Sequence, residues 1–137
     1  MPFDPESLRH LLEQSRTIAV VGLSPDEQRA SHGVARYLQA HGYRIVPVNP
    51  RCTEVLGERC YASLEEIPFP VDVVDVFRRS EEVLPIARSA VAIGARCLWQ
   101  QLGVVNTEAD AIATANGLVS VMDRCIKVDH RLLLPGR

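Results

Sequence analysis

The chain has no Gly-x-Gly-x-x-Gly fingerprint, no Cys-x-x-Cys pair, no long apolar run and almost no charge imbalance. Each absence removes a class of function. Its longest apolar stretches are strand-sized, well short of the ~20 residues needed to cross a bilayer, so no membrane partner is expected. A net charge of −2 offers no general attraction for nucleic acid or an anionic membrane. Any anion site must therefore be local. Four cysteines (Cys52, Cys60, Cys97, Cys125) are too widely spaced to indicate a zinc site or a disulfide framework. Reduced thiols in the cytoplasm are the expectation. The opening Met1-Pro2-Phe3-Asp4-Pro5-Glu6 shows no basic region leading into an apolar stretch, so no secretory leader is expected. No internal repeat, low-complexity tract or linker is visible.

What remains is a composition that folds. Of the 137 residues, 47% are hydrophobic and 23% charged, which predicts one globular domain over 1–137, with its core at about 17–130. Leu8, Leu11 and Leu12 recur at helical spacing ahead of a first strand at Thr17–Val21. After Gly22, a loop through Pro25–Arg29 precedes a helix that Ser31 is expected to cap and Gly42 to stop. Further strands are predicted at Tyr43–Val48, Val71–Phe77, Arg96–Gln101 and Leu118–Met122. Residues 51–62 read as irregular with a turn at Gly57, and Leu64–Ile67 as a single helical turn. Helices capped by Ser80 and Thr107 fill two of the gaps, and Arg124–Leu134 is expected to form the last helix.

Five strands thus alternate with helices, and three of them are nearly all apolar. Strands buried on both faces imply helices on both sides of a parallel sheet. The expected fold is α/β, a Rossmann-like doubly wound five-stranded sheet in three layers, with its ligand at the carboxyl ends of the strands.

Two strand ends carry the chemistry. In Thr17-Ile18-Ala19-Val20-Val21-Gly22-Leu23-Ser24, an apolar strand breaks at a glycine before a helix, an arrangement that suits a phosphate at the helix N-terminus. The glycine serves equally as a plain turn. The second strand ends in Asn49-Pro50-Arg51, where a NAD-binding unit usually places an acid for the ribose. An arginine there suits a phosphorylated ribose, or it is a solvated side chain on an ordinary Asn-Pro turn. Phe77-Arg78-Arg79 closes the third strand at the same edge, with Phe77 able to pack on an adenine or a pantetheine chain.

Catalytic candidates are poor. Asp72 and Asp75 lie three apart on a predicted strand and so face opposite sides. No acid follows the first strand, which excludes a phosphoacceptor receiver, and His10, His32, His41 and His130 suggest no Ser-His-Asp order. Cys125, past the fifth strand and beside Arg124, has the one plausible setting for a reactive thiol, although a packed cysteine is the commoner case.

The segments Ile18–Ser24, Val46–Pro50, Val71–Arg78, Leu98–Gly103 and Val121–Cys125 together resemble the small CoA-binding proteins. These share the CoA-binding domain of the succinyl-CoA synthetase alpha subunit and of NDP-forming acyl-CoA synthetases. The resemblance implies a domain that holds coenzyme A by its nucleotide end. Gly22, Leu23 and Ser24 would then meet the pyrophosphate, with Ser31 beside them. Pro47, Asn49, Pro50 and Arg51 would surround the 3′-phosphate region. Phe77, Arg78 and Gln101 would line the adenine or pantetheine path. With CoA as the ligand, the predicted strand-end position of Cys125 adds the expectation of a mixed disulfide with the CoA thiol.

The large synthetases also use a phosphohistidine domain and a nucleotide-grasp domain, for which 137 residues leave no room. A non-catalytic carrier, sensor or accessory protein with no metal is therefore the expectation, its ligand CoA or an acyl-CoA, with a protein partner as a further expectation. Two rivals remain. One is a small NADP-dependent oxidoreductase, for which no Tyr-Lys pair is evident. The other is a nucleotide-sensing regulator, for which no basic helix-turn-helix segment is evident.

Overall fold

The computed structural model describes residues 4–137, so the reading of Met1-Pro2-Phe3 lies outside the described residues. Helix α1 (Pro5–Gln14) starts where Asp4 accepts the Glu6 N–H and proline occupies the first turn. Leu8, Leu11 and Leu12 form its buried stripe. Strand β1 (Thr17–Val21) follows, then α2 (Ala30–Ala40) and β2 (Arg44–Val48). Next come the short strands β3 (Glu54–Val55) and β4 (Glu58–Arg59), a single 3-10 turn at Leu64–Glu66, and β5 (Val73–Val76). A 3-10 turn at Ser80–Glu82 leads into α3 (Val83–Ala92), followed by β6 (Cys97–Gln100), α4 (Thr107–Ala115), β7 (Val119–Val121) and α5 (Ile126–Leu133).

The main sheet has five strands in the order β2-β1-β5-β6-β7, all parallel. From β1 the chain crosses to one side to make β2, then returns to build β5, β6 and β7 on the other. This is the expected doubly wound topology, and its switch point lies between β1 and β5. One face is covered by α1, α2 and α5 through a cluster that includes Leu12, Leu38, Trp99 and Ile126. The other is covered by α3 and α4 through Val74, Val83, Ala87, Leu98 and Ala113. No helix among the described residues is long and apolar enough to cross a membrane.

The predicted caps need correction, each by a residue or two. Arg29 occupies the N-cap position of α2, and Ser31 lies inside the helix. Asn106 caps α4, its side chain accepting the Ala109 N–H at 2.9 Å, ahead of Thr107. Ser80 opens a 3-10 turn instead, and its hydroxyl accepts the Val105 N–H at 2.9 Å. The stretch read as irregular contains a two-residue hairpin, with positive φ at both Leu56 (56°) and Gly57 (77°). That is the mirror-image turn that suits strand twist. Asp72 precedes β5, where it accepts the N–H groups of Arg16 (2.8 Å) and Thr17 (3.0 Å). It is structurally spent, and makes no pair with Asp75.

Candidate functional site

A cavity of about 990 Å³ opens at the carboxyl ends of β1, β2 and β5, at the switch point. Its position follows from the topology. Where neighbouring crossovers leave in opposite directions, the loops part and a crevice remains. Of the candidate site residues, Gly22, Ser24, Ser31, Asn49, Pro50, Arg51, Phe77, Arg78 and Gln101 all line it. Leu23 and Pro47 do not. The Leu23 side chain is wholly buried in the core, and Pro47 is a buried member of β2 in register with Val20.

Three hydrogen bonds give the rim its shape. The Ser24 N–H donates to the Ser31 hydroxyl at 3.0 Å, which fastens the loop after β1 to the first turn of α2. The Asn49 side-chain amide donates to the Leu23 carbonyl at 3.0 Å, tying that loop to the end of β2. Asn49 Oδ1 also accepts the Arg51 N–H at 2.9 Å, forming the Asx turn that presents Arg51. Residues assigned to the ligand on motif position thus act partly on one another. Ser31 and Asn49 hold the loops that the ligand would touch.

Gly22 is where the chain turns, with φ +87°. A Cβ there would lie 2.3 Å from the Phe77 carbonyl oxygen, so glycine is required by contact as well as by conformation. His32 is buried, and its Nδ1–H donates to the Ser24 carbonyl at 3.0 Å. It supports the loop from behind. Gln101, also buried, uses Oε1 to accept the Ile126 N–H at 3.0 Å, capping α5 from the cavity wall.

The electrostatics favour an anion. Four arginines (Arg29, Arg51, Arg78, Arg79) and one acid (Glu82) line the cavity, against a net charge of −2 for the whole chain. Arg79 is spoken for, because it donates to Glu82 at 3.0 Å, and that bond holds the Glu82 carboxyl below its usual range. Among the described residues, Arg29, Arg51 and Arg78 have no ion pair within the cavity, and the first turn of α2 leaves leading N–H groups without intrahelical acceptors. Guanidinium groups and a helix N-terminus together make a phosphate cradle. Among the described residues no cluster of three or more His, Cys, Asp or Glu side chains could hold a metal ion.

Sequence reading missed Gln28, Arg29, Ala30, Glu82, Leu102 and Val104, and placed Arg79 at this edge without assigning it to the ligand. Ala30 opens α2, Arg29 is its N-cap and Gln28 leads into it, and the reading of Pro25–Arg29 as an exposed loop had left the last two outside the site. Leu102, 70% exposed, carried no periodic signal at all. Cys125 sits at the N-cap of α5 as expected, but it does not line the cavity. Its neighbour Arg124 is engaged by Asp129 through two bonds of 2.7 and 2.8 Å.

Fold and site together define a Rossmann-like α/β domain with an anion-attracting crevice at its switch point. Family comparison makes the assignment specific. Residues 16–131 match the model of the CoA binding domain, and the chain belongs to that family. It is 44% identical over 123 residues to the uncharacterized Bacillus subtilis protein YneT, covering 90% of this chain and 91% of that one. A solved structure of a hypothetical protein from Pyrococcus horikoshii superposes with a TM-score of 0.94 at 38% identity, covering 96% of this chain and 93% of that one. A 59-residue stretch is 41% identical to the alpha subunit of an ADP-forming acetate–CoA ligase II from Pyrococcus furiosus. That match covers 42% of this chain and 13% of the ligase subunit, so the kinship concerns the CoA-binding part alone.

Proposed function

We propose that this protein binds coenzyme A or an acyl-CoA through the nucleotide end of the ligand and acts as a cytoplasmic binding, carrier or accessory protein without a catalytic step of its own. The observation that carries this is the cradle at the switch point, where the head of α2 and the free Arg51 and Arg78 face one crevice. Membership of the CoA-binding-domain family supports coenzyme A as the ligand. The pyrophosphate would rest on Gly22, Ser24 and the first turn of α2, and the 3′-phosphate beside Arg51. Phe77 and Leu102 offer apolar surface to the rest of the ligand. The serine hydroxyls are already committed to loop bonds, Ser31 to Ser24 and Ser24 to the Asp26 N–H, which fits holding rather than attack.

The test is thermal unfolding with CoA, dephospho-CoA, NADP and NAD in parallel. A ligand at ~100 times its dissociation constant adds about 2.7 kcal/mol, which raises the midpoint by roughly 5 °C or more for a domain of this size. The expected order is CoA well above dephospho-CoA, with no shift for NAD. A shift with NADP alone overturns the reading in favour of redox chemistry.

A further inference from the structure

The hairpin that follows β2 brings two of the four cysteines to one place. Cys52 comes directly after Arg51, and its N–H donates to the Asn49 carbonyl at 3.3 Å. Cys60 ends the hairpin, its N–H donating to the Thr53 carbonyl at 2.9 Å. With Glu54 opposite Arg59 and Val55 opposite Glu58, Cys52 falls one residue out of register with Cys60, on chains whose directly opposed Cα atoms lie about 4.5–5.5 Å apart. A disulfide spans about 4.4–6.8 Å.

Strand β3 begins only at Glu54, so Cys52 lies outside the regular strand. Both residues, each half-buried, pack against the same apolar cluster beside Val55 and Leu56. Cys97 is wholly buried in the sheet, and Cys125 heads α5. The hairpin is also wired to the site. Tyr61 accepts the Asn49 N–H at 2.9 Å and donates to the Pro47 carbonyl at 3.0 Å.

We propose that Cys52 and Cys60 are a redox pair, and that closing their disulfide draws the Asn49–Arg51 turn away from its ligand-binding geometry. The oxidant is a low-molecular-weight disulfide. The Cys52 thiolate attacks one of its sulfurs, the S–S bond breaks, and one thiol leaves after taking a proton from water. The Cys60 thiolate then attacks the Cys52 sulfur of the mixed disulfide and releases the second thiol. Two protein thiols lose two electrons and two protons, and one small disulfide becomes two thiols. Cys60 acts second because burial, then the adjacent Cys52 and Glu54, push its thiol up and leave less thiolate. The new bond competes with the long Cys52–Asn49 hydrogen bond, and Arg51 moves with its neighbour.

The pair itself does not depend on the ligand; the effect on binding rests on the CoA reading. The full chain is equilibrated with glutathione disulfide, trapped with an alkylating agent, and analysed by intact mass and peptide mapping. The expected product is lighter by two hydrogens, joined between Cys52 and Cys60, absent in Cys52→Ser and Cys60→Ser and retained in Cys125→Ser. Acetyl-CoA, which has no free thiol to reduce the bond, is expected to bind the oxidised form at least ~3-fold more weakly than the reduced form.

Four free thiols, a bond using Cys97 or Cys125, or an adduct that stops at one cysteine overturns the pair. A Cys52–Cys60 bond with unchanged acetyl-CoA affinity overturns its coupling to the turn. Failure of both forms to bind acetyl-CoA counts against the CoA reading alone.

Discussion

Gly22 and Phe77 meet backbone to backbone: a Cβ added to Gly22 would sit 2.3 Å from the Phe77 carbonyl oxygen and 3.1 Å from its carbonyl carbon. Each residue directly follows a strand that flanks the switch point, so this contact sets how closely the β1 and β5 loops approach at the crevice. Neither atom belongs to a flexible side chain, and the φ of +87° adds its own penalty to any other residue. Gly22→Ala is expected to lose about 1–3 kcal/mol of stability and most affinity for CoA. Gly33, inside α2 with nothing within 4 Å of an added Cβ, is the matched control. Gly33→Ala is expected to stabilise by about 0.5–1 kcal/mol through helix propensity. Urea unfolding of the two variants reads the contrast. Equal effects would dismiss the close approach as the reason for Gly22.

Arg51 is exposed, presented by the Asx turn of Asn49, and makes no ion pair among the described residues. Its removal therefore tests binding without disturbing the fold. Arg51→Ala is expected to change stability by less than about 0.5 kcal/mol. It should weaken CoA by roughly 10–100-fold, the value of a charge-assisted hydrogen bond. Dephospho-CoA should bind wild type and variant alike, since the 3′-phosphate is the group that Arg51 would meet. Calorimetry with both ligands decides this. An equal loss for the two would move Arg51 from the 3′-phosphate to the pyrophosphate.

Asp75 lies at the centre of β5 with no exposed surface, between Val20 and Trp99 in register, and neither carboxyl oxygen has a hydrogen-bond partner. Burial pushes its carboxyl well above the usual range, so the native state keeps it protonated where the unfolded chain ionises it. The sign follows. A raised folded pKa gives stability that is present below the unfolded value near 3.9 and is lost as pH climbs towards the folded one. Asp75→Asn removes the titration at almost constant shape. Against wild type it should gain stability progressively from pH 4 to pH 8, as read by urea midpoints. A difference that stays flat with pH would mean that Asp75 is not the titrating group.

The architecture was legible because its signals are local and repeated. Three almost wholly apolar strands, each followed by a helical pattern, specify a covered parallel sheet, and glycines mark the helix ends. The site was legible where a residue type is forced by its position, as at Gly22, or where charge stands at a strand end, as at Arg51 and Arg78. It was illegible where tertiary contact decides. Ser31 looks like a cap in the sequence, yet its hydroxyl accepts the Ser24 N–H from the loop after β1. With Arg29 as the N-cap of α2, the unrecognised Gln28, Arg29 and Ala30 fall in the lining. The hairpin at Leu56-Gly57 lacks the Asn-Gly signature, and leucine with φ 56° is a conformation that no propensity would nominate. Leu23 and Pro47 sat in the right motifs but faced the core.

His130 is expected to supply an acid limb to the stability profile. Although it is 2% exposed, it is surrounded by polar and basic groups. Its Nδ1 pairs with the Tyr37 hydroxyl at 2.8 Å, and the His41 ring stands edge-on with centroids 5.3 Å apart. Burial, then His41 and Arg137, hold its pKa below the ordinary 6.5. The native imidazole is therefore neutral, and acid protonates the unfolded chain first. Stability from this group is present above pH 6.5 and is lost as pH falls through the lower folded value. Wild type should weaken between pH 7 and pH 5, with α5 loosening from α2 where Tyr37 and His130 join them. His130→Asn is expected to lose about 1–3 kcal/mol at pH 7, from the broken Tyr37 bond and the emptied space, and to show a flatter acid limb. Urea unfolding at pH 5, 6 and 7 measures both. If the variant keeps the full acid slope, the proton binds elsewhere.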